Sequence, residues 1–295
     1  MTPNSAPDPV ELTVNVAGHE IAIIDGTAGR TGPSIVFVHG ILMSVRLWPL
    51  LLRETSLDRY RWISVGLPGH FPSVAPENFT AGSVTEDLFS ESLIAAIDLC
   101  FEGETVHLVG WSTGGYAALM TAAKYPQKVK SVVSLSGFVR GQWGHLLGYF
   151  QFVSQSWWRG WTVPAGMKLV ASSPPLYRAF QWLMTIKAIP KTELMREISE
   201  VSYADYRKNH FQVMRNLFSG LRNIDSSARL SEIKTPVLVL GGERDKIIVP
   251  AEAQHVRELL PNSKLIEQAG VGHLFYAEGR EQTLLQIDEW ISQYS

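Results

Sequence analysis

In the stretch "HLVGWSTGG", residues 107–115, Ser112 follows an apolar run and is flanked by Gly110 and Gly114. A serine hydroxyl attacks a carbonyl only when a sharp strand-to-helix turn exposes it, and small residues two before and two after allow that turn. The plain alternative is a glycine-rich turn in which the serine is idle, so the reading depends on partners elsewhere in the chain. The hydroxyl also needs a base to take its proton. Of the eight histidines, His273 is best placed, in the glycine-bearing loop "QAGVGHLFYAEG" after the last apolar run. His255 falls inside a helical pattern and reads as a surface residue, and His107 falls mid-strand and reads as packing. The base needs an acid to hold its tautomer. Asp245, in "GGERDKIIVP" beyond the run "PVLVLGG", fits that role, with Glu243 as the fallback two residues closer to the strand. Serine, acid and histidine then occur in the chain order that a strand–turn–helix nucleophile requires.

Acyl transfer also needs backbone N–H donors aimed at the developing oxyanion. Thr113, directly after the serine, supplies one whatever its side chain. The second belongs to the loop after "SIVFVHG", with Ile41 the first choice and Leu42 the second; His39 and Gly40 shape that loop.

These residues need a frame. "ELTVNVAG" and "HEIAIIDG" alternate as half-buried strands around a turn at Gly18–His19. "PSIVFVHG", "RYRWISVGLPGH", "ETVHLVG" and "VKSVVSLSG" follow as strands, interleaved with helical patterns near 84–100 and 114–125. Such alternation predicts an α/β fold with a mostly parallel central sheet flanked by helices. It stops after Gly137. From 138 to 223 there are only helical segments, broken by Pro164, Pro174, Pro175 and Pro190, before alternation resumes at "TPVLVLGG" and ends in a helix over 278–294. The block is too long for a plain loop. It reads as a helical cap of residues 138–223 inserted after the sixth strand, with 1–137 and 224–295 forming the sheet domain. The first ten residues, with three prolines, read as a loose arm.

The 295 residues are 45% hydrophobic and 18% charged, with a net charge of −2. Nothing in that balance calls for nucleic acid or an anionic surface. The single cysteine, Cys100, excludes an intramolecular disulfide and a cysteine-based metal cluster. Neither a secretory leader nor a run of about 18 apolar residues is evident, so a soluble, cytoplasmic protein without a membrane span is expected. The oligomeric state is left open.

With these motifs in hand, the sequence resembles the α/β-hydrolase superfamily, and within it the cap-bearing, esterase-like serine hydrolases. The resemblance rests on "FVHGILMS", "GLPGHFPS", "LVGWSTGG", "TPVLVLGGERDKIIVP" and "AGVGHLFYAEG", in family order over about residues 20 to 293. It implies Ser112 as nucleophile, Asp245 as acid, His273 as base and the Ile41 and Thr113 N–H groups as oxyanion donors, with no metal and no cofactor. Relatives that use an aspartate at the elbow, the haloalkane dehalogenases and epoxide hydrolases, are excluded by Ser112. One loop departs from the pattern Asp-x-x-Gly-x-Gly-x-Ser: Gly66 replaces the acid and Phe71 the second glycine. Phe71 either thickens that loop or turns its ring toward the pocket.

Five of the nine tryptophans lie in the cap. Most must pack, but the cluster "SWWRGW" is dense enough to suggest an apolar roof over a small hydrophobic substrate. Arg140, His145 and Arg159 are the cap's candidate polar contacts. No basic amphipathic stripe argues for a membrane-surface role. The leading expectation is hydrolysis of a carboxylic ester or thioester. The same residues would serve carbon–carbon bond hydrolysis or acyl transfer, and a non-catalytic small-ligand receptor could keep the whole set.

Overall fold

The computed structural model describes residues 7–295. Among them eight strands form one sheet in the order β1-β2-β4-β3-β5-β6-β7-β8. These are β1 (Val10–Val16), β2 (His19–Asp25), β3 (Ser34–Val38), β4 (Arg61–Val65), β5 (Val106–Trp111), β6 (Val129–Leu135), β7 (Val237–Gly242) and β8 (Ser263–Gln268). β1 and β2 pair antiparallel, β2 joins β4 antiparallel, and the six strands from β4 to β8 run parallel. β3, β5 and β7 are buried at every residue, which is why they read as unbroken apolar runs. β1, at the edge, keeps an alternating exposed face. The hairpin turns at Ala17 and Gly18, both with positive φ, one residue earlier than expected. The expected N-terminal arm lies partly outside the described residues; the strand begins at Val10.

The helices are α1 (Leu47–Leu52), α2 (Glu86–Cys100), α3 (Thr113–Lys124), α4 (His145–Ser154), α5 (Thr162–Ala171), α6 (Pro174–Leu183), α7 (Glu193–Tyr206), α8 (Phe211–Arg222), α9 (Pro250–Leu259), α10 (Phe275–Glu278) and α11 (Arg280–Gln293). Local chemistry sets several starts. The Thr85 hydroxyl accepts the Leu88 N–H at the head of α2, and Thr192 does the same for Met195 in α7. Pro174 and Pro250 open α6 and α9, where a missing N–H costs nothing. Pro164, expected to break a helix, lies in the first turn of α5 for the same reason. α1 has no counterpart in the sequence reading, because Pro49 and a continuous apolar run hide its period. No described helix is long and apolar enough to cross a membrane.

Helices α4–α8 form an insertion between β6 and β7. Two ion pairs, each with a buried carboxylate, fix it to the sheet domain. Arg46, beyond β3, places its guanidinium 2.7 Å from Asp205 of α7, and Ser44 donates to the same carboxylate. At the other end Glu252 of α9 accepts the Val139 and Arg140 N–H groups and pairs with the Arg140 side chain. The sheet's strand order reverses beside β3: β4 lies on one side and β5 on the other. Ligand sites in open α/β sheets form outside the carboxyl ends of strands at such a point. Ile41 follows β3 and Ser112 follows β5.

Candidate active site

Ser112 joins β5 to α3 with φ 55° and ψ −116°. That left-handed backbone is strained for a residue with a side chain, and its neighbours must be glycine to permit it. A Cβ on Gly110 would stand 2.1 Å from the Gly114 carbonyl oxygen, and one on Gly114 would stand 2.4 Å from that of Val38. The turn thus brings β5, α3 and the exit of β3 into contact and leaves the serine at the sheet edge.

Three side chains meet there. Ser112 Oγ lies 3.1 Å from His273 Nε2, and His273 Nδ1 lies 2.8 Å from Asp245 Oδ2. All three residues are buried, at 2%, 4% and 3% exposure, so little water competes for these bonds. Asp245 is held by two backbone donors: its Oδ1 accepts the Ile247 and Ile248 N–H groups. Its other oxygen therefore accepts His273 Nδ1–H, which turns the lone pair of Nε2 toward the serine hydroxyl. The Trp111 indole N–H donates to the His273 carbonyl at 3.0 Å and fixes that loop. Glu243, the fallback acid, is exposed and accepts the Gly270 N–H instead.

On the oxyanion side the two candidates after β3 separate. The Leu42 N–H donates to His70 Nε2 at 3.1 Å, so it is engaged. The Ile41 and Thr113 N–H groups make no hydrogen bond among the described residues. Gly40 comes so close to Ser112 that a Cβ there would lie 3.1 Å from the serine Cβ.

His70 is a residue the sequence reading missed. His39 and His70 stand edge to face, with ring centroids 5.4 Å apart. His39 accepts the Leu67 N–H on Nε2 and places Nδ1 2.8 Å from the Gly40 carbonyl. His70 accepts the Leu42 N–H and places Nδ1 3.1 Å from the Pro68 carbonyl. Each ring is thus neutral, with its proton on Nδ1, and together they lace the loop after β3 to the loop after β4. Burial pushes the His39 pKa down to about 3, helped by repulsion from His70, and that of His70 down to about 4. His70→Leu is expected to orphan the Leu42 N–H and loosen the Ile41 loop. Ester turnover should fall about tenfold to a hundredfold, mainly in kcat; steady-state kinetics beside a thermal melt will separate this from unfolding.

Phe71 does not enter the pocket. Its ring lies under the Lys208 ammonium at 4.6 Å and its N–H donates to Asn209, so it thickens the loop and braces the cap. His107 is packed in β5 beside Ser131, and His255 sits on α9 near Ser227. None of the three cap cations or histidines expected as polar contacts lines the cavity: Arg140 pairs with Glu252, His145 is exposed, and Arg159 covers the Trp158 ring. The expected aromatic roof is also corrected. Trp157, Trp158 and Trp161 are 90%, 54% and 65% exposed and face outward.

The space over Ser112 is instead enclosed by Leu147, Tyr177, Phe180, Met184, Ile247 and Tyr276, and its volume is about 40 Å³. Beyond it a groove of about 580 Å³ runs between α6 and α7. Gln181 and Tyr276 line both spaces and divide them. The Glu278 carboxylate joins the two sides of this region, accepting the Ile186 N–H of the cap and the Gly272 N–H of the histidine loop. Among the described residues no three His, Cys, Asp or Glu side chains converge as a metal site.

Residues 33–280 match the family model for the alpha/beta hydrolase fold. The chain belongs to the α/β-hydrolase family. Lipase 1 of Psychrobacter immobilis is 22% identical over 85% of this hydrolase and 74% of its own length. The pimeloyl-[acyl-carrier protein] methyl ester esterase of Nitrosomonas europaea is 24% identical, over 87% of this chain and 95% of that one. Among solved structures, a putative aryl esterase from Burkholderia cenocepacia superposes with a TM-score of 0.76 at 22% identity, covering 97% of this hydrolase and 99% of that chain. The protein is an esterase- and lipase-like hydrolase of this fold.

Proposed function

We propose that this α/β-hydrolase is a serine hydrolase that cleaves carboxylic esters or thioesters with a hydrophobic acyl or aromatic portion. The observation that carries the reading is the buried hydrogen-bonded chain Ser112–His273–Asp245, beside the Ile41 and Thr113 N–H groups that make no hydrogen bond among the described residues. In this reading Ser112 Oγ attacks the carbonyl carbon while His273 Nε2 takes its proton. The carbonyl oxygen becomes an oxyanion held by the Ile41 and Thr113 N–H groups. His273 returns the proton to the leaving alcohol or thiol as the tetrahedral intermediate collapses to an acyl-enzyme. Water, deprotonated by His273, then attacks the acyl carbon and releases the acid. Asp245 stays ionised and holds the imidazole throughout. The lipase and methyl ester esterase similarities support ester cleavage, and the apolar cavity wall supports a hydrophobic acyl group.

A cavity of about 40 Å³ holds the reacting carbonyl and little more; pockets for small ligands are roughly 300–1,000 Å³. A longer chain must therefore extend past Gln181 into the outer groove. A panel of p-nitrophenyl esters of graded acyl length tests both points. Wild type is expected to turn over the panel and Ser112→Ala to be inactive on all members. Gln181→Ala should shift the preference toward longer chains, raising their kcat/KM about tenfold relative to acetate. A Ser112→Ala variant as active as wild type would overturn the assignment.

A further inference from the structure

We infer that the outer face of the cap, formed by α4–α6 and the 155–161 connection, seats this enzyme on an anionic phospholipid surface. Most of the large apolar side chains exposed among the described residues fall in residues 149–183, including Tyr149, Phe152, Trp157, Trp158, Trp161 and Trp182. An apolar concentration of this kind on one region marks an interaction surface. The three helices are neighbours: α5 packs against α4 and α6, and Phe150 of α4 stacks on Phe180 of α6. Tyr149 and Phe152, three residues apart, share one side of α4.

The charge on this face has one sign. Residues 105–192 contain no Asp or Glu, whereas Arg159, Lys168 and Arg178 all lie within the aromatic region. Two further contacts tie cation to ring: Arg159 sits 3.9 Å over Trp158, and Arg222 of α8 sits 5.7 Å over Phe152. The acidic groups nearest the adjoining groove, Glu193 and Glu200, are paired with Arg196 on α7. Tryptophan and tyrosine favour the boundary between acyl chains and headgroups, and cations favour an anionic leaflet. A whole-chain charge of −2 conceals this asymmetry. Arg178 and Trp182 belong both to the exposed side of α6 and to the rim of the groove that adjoins Ser112. Docking by this face would place that groove at the membrane, where amphiphilic esters concentrate.

The test is co-sedimentation of the full chain with vesicles, which reads binding independently of hydrolysis and so fails or succeeds apart from the proposed chemistry. Vesicles of phosphatidylcholine with about one third phosphatidylglycerol should carry the protein down, pure phosphatidylcholine should carry much less, and added salt should release it. Replacing Trp157, Trp158 and Trp161 together by alanine should lower the partition coefficient about tenfold or more, with an unchanged circular-dichroism melt. Wild type remaining in the supernatant with anionic vesicles would overturn the proposal, as would the triple variant sedimenting like wild type. Light scattering covers the other occupant: a dimer that the triple variant converts to monomer, without vesicle binding, would assign the face to a second copy and overturn it too.

Discussion

Asp245→Asn is expected to lower kcat on a soluble ester by about four orders of magnitude, with the protein still folded. The geometry gives the reason. Asp245 Oδ1 accepts two backbone N–H groups, at 2.9 Å and 3.0 Å, and Oδ2 faces His273 Nδ1. An asparagine must keep its carbonyl oxygen toward the two backbone donors, because an amide NH2 there would oppose them. The NH2 group then faces His273 and can only donate to Nδ1. This moves the imidazole proton to Nε2, where it opposes the Ser112 hydroxyl and no base remains. The substitution is nearly isosteric and keeps both backbone bonds, so thermal melting should change little while turnover collapses. Glu243→Gln is the control. That carboxylate is exposed and bonded to Gly270, so its loss should leave turnover near wild type. Near-normal rates for Asp245→Asn would remove the acid from the proposed chain.

The second large effect is acid unfolding. His39, His70 and His107 are buried and neutral, with pKa values pushed from 6.5 down to about 3, about 4 and about 4, chiefly by burial. In the unfolded chain each takes a proton near pH 6.5, while the folded protein does not until well below that. The unfolded state therefore binds more protons as the pH falls. Stability is fully present above about pH 6.5 and is lost progressively down toward the folded values. Three such groups give a slope of about 4 kcal/mol per pH unit between roughly pH 6 and 4.5. Against a total stability of about 5–15 kcal/mol, unfolding is expected within two or three units of neutrality. Urea midpoints measured from pH 7.5 to 4.5 will show it. His107→Gln removes one titration and should cut the slope by about a third. A stability flat from pH 7 to 5 would contradict the neutral, laced histidine pair beside the Ile41 loop.

How much of this was legible beforehand differs from residue to residue. Ser112, Asp245 and His273 could be read because each follows an apolar strand pattern in a turn-forming context, and strand ends in a parallel sheet converge. The β3–α1 and β4 loops gave no such help. That His70 occupies the Leu42 N–H depends on two loops crossing in space, 28 residues apart in the chain, with no local pattern to show it. From sequence alone Leu42 is therefore open as a donor, and only the His70 bond removes it. Clustered tryptophans were expected to roof the site, yet α5 buries Val163 and Met167 and leaves Trp161 in solvent. Aromatic density in a sequence says that rings are close together and not which side of a helix they occupy. Gln181, between cavity and groove, is a polar residue in an aromatic helix and carried no distinguishing mark.

The central claim is that Ser112 is an activated nucleophile, and labelling with a fluorophosphonate measures this most directly. Attack by Ser112 Oγ on phosphorus expels fluoride and leaves one phosphonyl adduct, which intact mass and peptide mapping locate. A single adduct on Ser112 is expected, absent from Ser112→Ala and strongly slowed in Asp245→Asn. Folded wild-type protein that remains unlabelled, or that carries its adduct on another residue, would contradict it.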